Sequence, residues 1–180
     1  MALLEKEKRA DPKAAQALRE AARREPPPGL SGSDLVQFYW ARGLAAGRTG
    51  DVRQGIADLK RANRQSGSLD QRAQSGILWD LAKAEHLGGN YADSLRHRKE
   101  SIRTAPSKGS LLARLSVMAR IYATMGDLEA ADSMLAQAEE VLEEAMGWSS
   151  WYLYGNNYTR HVLRAKGKIL YAKGRFDEAD

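Results

Sequence analysis

The groups that could do chemistry in this chain are few. Its three histidines, His86, His97 and His161, are scattered, with no ligand partner at metal spacing. There is no cysteine, which excludes both a disulfide framework and a thiolate metal site. No glycine-rich phosphate loop, serine elbow or HExxH motif occurs. The acidic pairs Glu139-Glu140 and Glu143-Glu144 fall on a helix whose polar face reads as solvated. An enzyme is therefore not expected, and no cofactor is implied. What remains is the chemistry of binding. Arg160, Arg164 and Lys168 are spaced four apart and share one helical stripe, beside Arg96, Arg98 and Lys99 earlier in the chain. Such a stripe could hold phosphates, which is the RNA- or DNA-binding reading. Trp148, Trp151, Tyr152, Tyr154 and Tyr158 form the densest aromatic cluster. Two readings stand for it, packing between helices or a ledge for a ligand. Asn156-Asn157 either binds a peptide backbone or makes a turn or cap.

These residues need a scaffold, and composition says which kind. The chain has 180 residues, room for one ordinary domain or a few stacked repeat units. Hydrophobic residues make up 43 %, weighted to Ala and Leu, with Phe only twice, which favours closely packed helices over sheets. The 28 Lys and Arg against 23 Asp and Glu leave a mild basic balance of +5, mixed in sign along most segments. No apolar run approaches the roughly 20 residues of a membrane helix, and no ordinary secretory signal opens the sequence. The expectation is a cytoplasmic protein with no membrane partner.

The organising stretch is Leu111 to Glu144. Leu112, Leu115, Ala119 and Tyr122, then Leu128, Ala131, Leu135, Ala138 and Leu142, recur at helical spacing on either side of Gly126-Asp127. That pattern describes two amphipathic helices folded back on each other, with glycine in the left-handed closing position and aspartate capping the next helix. Around it, Asp11 to Arg24 reads as a first helix capped by Asp11 with Pro12 in its first turn, stopped by Pro26-Pro27-Pro28-Gly29. A second helix follows Ser31-Gly32-Ser33-Asp34 and runs to Gly50; a third follows Asp51 and ends near Gly67. Ser68-Leu69-Asp70-Gln71 has the form of a capping box and opens a helix to Gly88-Gly89. Another runs from Tyr91 to Thr104 before Pro106. After Gly147, the aromatic stretch leads into a helix from Thr159 to Gly174.

Four helices thus end in Gly, a polar residue, a hydrophobic residue and another helix. The glycines are Gly50, Gly89, Gly126 and Gly174, at separations of 39, 37 and 48 residues. A small residue stands seven positions before each (Gly43, Ala82, Ala119, Gly167), and another five after (Gly55, Ser94, Ala131, Ala179). A hydrophobic residue, Val52, Tyr91, Leu128 or Phe176, stands two after. The pattern resembles the tetratricopeptide repeat, whose basic period is about 34 residues, in the extended form found in large bacterial regulators. Arg42, Lys166, Glu85 and Arg98 depart from it, standing where leucine, leucine, tyrosine and an aromatic are usual. The resemblance covers Leu35 to Asp180.

It implies an all-α fold, an α-solenoid in which antiparallel helix hairpins stack into a right-handed superhelix. Residues 1–29 would be an N-terminal capping helix or degenerate repeat. Residues 30–180 would carry about four repeats, 35–67, 68–106, 111–146 and 149–180, the last incomplete and expected to continue in a longer protein. The first helix of each hairpin would line a concave groove. Gln37, Trp40 and Leu44 would face it in the first unit, and Trp79, Asp80, Lys83 and His86 in the second. Ser116 and Arg120 would face it in the third, and His161, Arg164 and Lys168 in the last. Trp40 and Trp79, in one register, either form a ledge or pack as core. The carboxylate clamp of chaperone-binding relatives is missing, since Trp40, Leu44, Asp80, Ala113 and Val117 occupy its places.

The expected role is a non-catalytic protein-interaction scaffold, the sensor or docking part of a larger regulator. Its partner would be a protein or peptide with acidic and apolar residues. The alternative is the nucleic-acid-binding solenoid. Self-association through the exposed apolar face of the last hairpin (Val162, Ile169, Leu170) is a third expectation.

Overall fold

The structure, a computed structural model, describes residues 11–147 and 151–178, the side chains of 151–153 excepted. Those residues are all-helical, with no strand among them. The helices are α1 (Pro12–Arg23), α2 (Gly32–Arg48), α3 (Val52–Gln65), α4 (Gln71–Leu87), α5 (Tyr91–Arg103), α6 (Lys108–Met125), α7 (Leu128–Ala145) and α8 (Trp151–Ala172). Short 3-10 turns lie at Ser66–Ser68 and Phe176–Glu178. They form two compact units, 1–100 and 101–180.

The four turn glycines all take the left-handed conformation expected of them, with φ of 94° at Gly50, 80° at Gly89, 81° at Gly126 and 74° at Gly174. A side chain there would be strained, which is why glycine closes each turn. The next helix is started by aspartate where one is available. Asp51 accepts from the Gln54 amide at 3.0 Å and Asp127 from Ala130 at 3.1 Å. Asp11 does the same for α1, accepting from Lys13 at 3.0 Å ahead of Pro12.

Three expected helix starts are displaced. Asp70, not Ser68, caps α4, accepting from the Ala73 amide at 2.7 Å, because Ser66–Ser68 is spent in the 3-10 turn that ends α3. The second helix begins at Gly32, before Asp34, its first turn closed by the 3.4 Å bond from the Leu35 amide to the Ser31 carbonyl. And α6 begins at Lys108, three residues ahead of its first leucine, where Ser107 accepts from the Ser110 amide. Counting apolar residues finds the buried face; capping chemistry finds the end.

In unit 1, α2 and α3 form a hairpin, with α1 packed on α2 through Leu18, Ala21, Ala22, Ala45 and Ala46. Gly43 and Gly55 bring the α2 and α3 backbones together: a Cβ on Gly43 would lie 3.1 Å from the Gly55 carbonyl, and one on Gly55 3.1 Å from the Gly43 carbonyl. The same register in α4 and α5 pairs Ala82 with Ser94, whose hydroxyl donates to the Ala82 carbonyl at 2.7 Å. In unit 2, Ala119 and Ala131 are fully buried in one core with Leu112, Leu115, Leu135, Val162 and Ile169. So the small positions are where helices of a hairpin touch, and Leu or Phe there would force them apart. Ala179, the fourth such position, lies outside the described residues.

The residues that break the repeat pattern are not solvent-facing accidents. Arg42 is largely buried and grips Asp58 with two bonds, of 2.8 and 2.9 Å, while a third reaches the Arg24 carbonyl at 3.0 Å. The Asp58 hydrogen bond holds the Arg42 guanidinium protonated beyond an ordinary arginine. Gln54 likewise donates to the Ala22 carbonyl at 2.5 Å. Together they satisfy carbonyls at the end of α1 and dock it. Glu85, with no exposure, takes His97 Nδ1 at 2.6 Å and has Lys60 at 3.4 Å, so a buried carboxylate is held between two bases. Arg98 lies over the Trp79 ring at 5.0 Å, its pKa lowered by burial.

The aromatic stretch is helical, not a lead-in. Trp151 opens α8, and Gly155 is buried within it, so the Gly155-Asn156-Asn157 step makes no turn. Trp148 and the side chains of Trp151 and Tyr152 lie outside the described residues. Tyr158 packs on the unit 2 core, against Gly109, whose lack of a Cβ leaves room for the phenol. Tyr154 is exposed.

Candidate binding surfaces

Each unit carries its own candidate surface. In unit 1 a cleft of about 390 Å³ opens between α2, α3 and α4. Leu44, Val52, Leu59 and Leu87 give it apolar walls, and Arg48, Asp80 and Lys83 give it charge. Of the expected groove residues, Leu44, Asp80 and Lys83 therefore meet. Arg48 and Leu87 were not expected there. Both stand two residues before a turn glycine, and that shared register was the signal available to find them.

Trp40 sits half-buried between the apolar clusters of unit 1, against Gly76, where a Cβ would come within 3.1 Å of its ring. Its indole Nε1 donates to Asp80 Oδ2 at 2.8 Å, joining α2 to α4. Trp79 is half-buried beneath Arg98. Each tryptophan thus has a partner inside the protein and neither offers a bare ring. Gln37 is exposed on α2. His86 is exposed at the end of α4, edge-on to Tyr91 at 5.3 Å across the turn. Tyr171 and Phe176 repeat that contact at 5.2 Å around Gly174.

In unit 2 the surface is cationic. Arg120 on α6 and Arg164 on α8 are exposed, with half-buried His161 between their fields. Burial first, then Arg164, Arg160 and Arg120, push the His161 imidazole below its ordinary pKa. Arg160, Leu163, Arg164, Gly167 and Lys168 line a shallow groove along α8. Ser116 does not join this surface. It is buried, and its hydroxyl bonds back to the Leu112 carbonyl at 2.9 Å, as a serine inside a helix often does.

Some of the described cations are ion-paired and many are not, Arg53, Arg64 and Arg72 among the latter. Arg42, Lys60, Arg61, Arg96, Lys108, Lys173 and Arg175 all contact carboxylates. Among the described residues no carboxylate pairs with Lys83, Arg120 or Lys168. Lys168 lies only over the Tyr171 ring, at 5.6 Å. All three stand six residues before their turn glycine.

Among the described residues no three of His, Asp and Glu converge as metal ligands, and no helix is long and apolar enough to cross a membrane. Comparison with protein-family models, with curated proteins and with solved structures gives no match to this chain.

Proposed function

We propose that the chain is a non-catalytic, tetratricopeptide-like scaffold whose hairpins stack as a solenoid and bind an acidic, partly apolar peptide segment. The reading rests on one observation: Lys83, Arg120 and Lys168 share a register, six residues before the turn glycine that follows α4, α6 and α8, and among the described residues no carboxylate pairs with them. Lys83 stands beside the apolar cleft of Leu44 and Leu87 in unit 1, and Arg120 and Lys168 belong to the cationic surface of unit 2. A cation left unpaired beside apolar surface is a place for another molecule's carboxylate. By its resemblance to extended-repeat regulators, such an arm would dock or sense a partner for a larger cytoplasmic protein.

The test is fluorescence anisotropy with a labelled peptide in which glutamates bracket leucines, against a glutamine version and against single-stranded RNA and DNA. The glutamate peptide should bind best, and Lys83→Glu with Arg120→Glu and Lys168→Glu should weaken it by roughly a hundredfold, about 1 kcal/mol per removed contact. Equal binding of the glutamine version would end the proposal. The Arg160, Arg164 and Lys168 stripe supports the second reading, and tighter retention of the oligonucleotides, lost steeply with salt, would establish it.

A further inference from the structure

In unit 2 the helices α6 and α8 present one register to different surroundings. Fourteen, eleven, seven and three residues before its turn glycine, α6 carries Leu112, Leu115, Ala119 and Ala123. All four are buried, at 0, 2, 0 and 4 % exposure, in the core that α6 shares with α7. The same positions of α8 are Arg160, Leu163, Gly167 and Tyr171. Here Leu163 is 59 % and Tyr171 61 % exposed, while α8 meets the core through Val162, Ala165 and Ile169, so Val162 and Ile169, expected on an exposed apolar face, are buried instead. A face that one helix buries is left open on its neighbour, with Gly167 allowing close backbone approach.

We propose that this face of α8 is the seat for α7 of a second copy of the chain. Charge selects that occupant. Arg160 and Arg164 flank the open face, so two α8 faces would repel each other. The outward stripe of α7 carries the opposite sign: Glu129, Glu140 and Glu143 are exposed, and no cation among the described residues pairs with them. Ser133 and Ala136, small and exposed, lie between those glutamates and can approach Gly167. Met146, 61 % exposed at the end of α7, offers apolar cover. Within one copy the two helices are bridged by Lys173 and Asp132 at 2.7 Å, which leaves the remaining charges of both stripes available. A two-fold axis would form the contact twice, α7 on α8 and α8 on α7.

Sedimentation of the full chain across micromolar concentrations tests this. A dimer should appear at low salt and weaken by roughly tenfold or more at high salt, because exposed charges are screened. Glu140→Lys with Glu143→Lys should be monomeric, as should Arg160→Glu with Arg164→Glu. Mixed together they should pair, since the two reversals restore opposite charges only between unlike copies. Circular dichroism of each variant, unchanged from the parent, shows that the exposed substitutions leave the helices intact. A monomer at every concentration, a dimer indifferent to salt, or a mixture that stays monomeric overturns the proposal.

Discussion

The hairpins α2–α3 and α6–α7 use one backbone contact with opposite chemistry around it. In both, small residues twelve apart meet, Gly43 with Gly55 and Ala119 with Ala131. Eight residues before and after the turn glycine, the first hairpin carries Arg42 and Asp58, the second Met118 and Met134. Asp58 is 1 % exposed and bound twice by Arg42; Met118 is fully buried and Met134 packs on an apolar core. Each solution fills the same place. They differ in what a single loss leaves behind. A missing methionine leaves a gap, whereas a missing arginine leaves a carboxylate stranded out of water.

The largest effect is therefore expected of Asp58→Ala. It should cost about 3–5 kcal/mol in urea unfolding, since it strands the Arg42 guanidinium and loosens its grip on the end of α1. Arg42→Met together with Asp58→Met, which copies the second hairpin into the first, should recover most of that loss. A double variant as unstable as the single one would mean that the buried charges were not the source of the cost. The two units need separate readouts, so hydrogen exchange should accompany the denaturant curve.

The glycines give the next largest effect. A Cβ on Gly43 would meet Leu59 Cγ at 3.0 Å and the Gly55 carbonyl at 3.1 Å, and backbone cannot give way as a side-chain tip can. Gly43→Ala should destabilise unit 1 by about 1–3 kcal/mol through overpacking. Ala119, in the same register, already carries that methyl in a fully buried place. Ala119→Gly should cost about 1 kcal/mol, chiefly through backbone freedom within the helix. If Gly43→Ala proves neutral, the first hairpin is looser than its distances state.

The sequence made the turns legible because a left-handed residue and a helix cap each need specific residue types, and those were present at Gly126 and Asp127. It made the small positions legible for the same reason. It did not reveal the polar pairs. Arg42 and Glu85 read as departures from a pattern, since nothing in a linear spacing of sixteen residues links Arg42 to Asp58, or of twelve links Glu85 to His97. Partnership across a hairpin is set by rotamer and burial, which periodicity does not encode. Register sets Lys83, Arg120 and Lys168 at one position, six before a turn glycine, but counting alone could not say that Trp40 would bind Asp80 through its indole or that Ser116 would turn inward.

The smallest effect separates the units by pH. His161 is half-buried among Arg120, Arg160 and Arg164, and burial and then those cations lower its pKa below the ordinary value of about 6.5. The unfolded chain therefore takes up this proton at a higher pH than the folded one does. Above the ordinary value both states are neutral and His161 imposes no penalty. As pH falls below it, the unfolded state gains a proton that the folded state still refuses, and stability declines until the folded value is passed. His161→Gln should flatten that part of the acid decline in unit 2, a small effect because solvent screens a half-exposed ring, and leave the protection of α2 and α3 unchanged. An acidic peptide bound beside His161 should act in the opposite sense, offsetting the cations and drawing a proton onto the imidazole, so its affinity should rise between pH 7 and pH 6 in the parent and not in the variant. A variant whose acid sensitivity matches the parent would show that neither burial nor these arginines hold the proton off the ring.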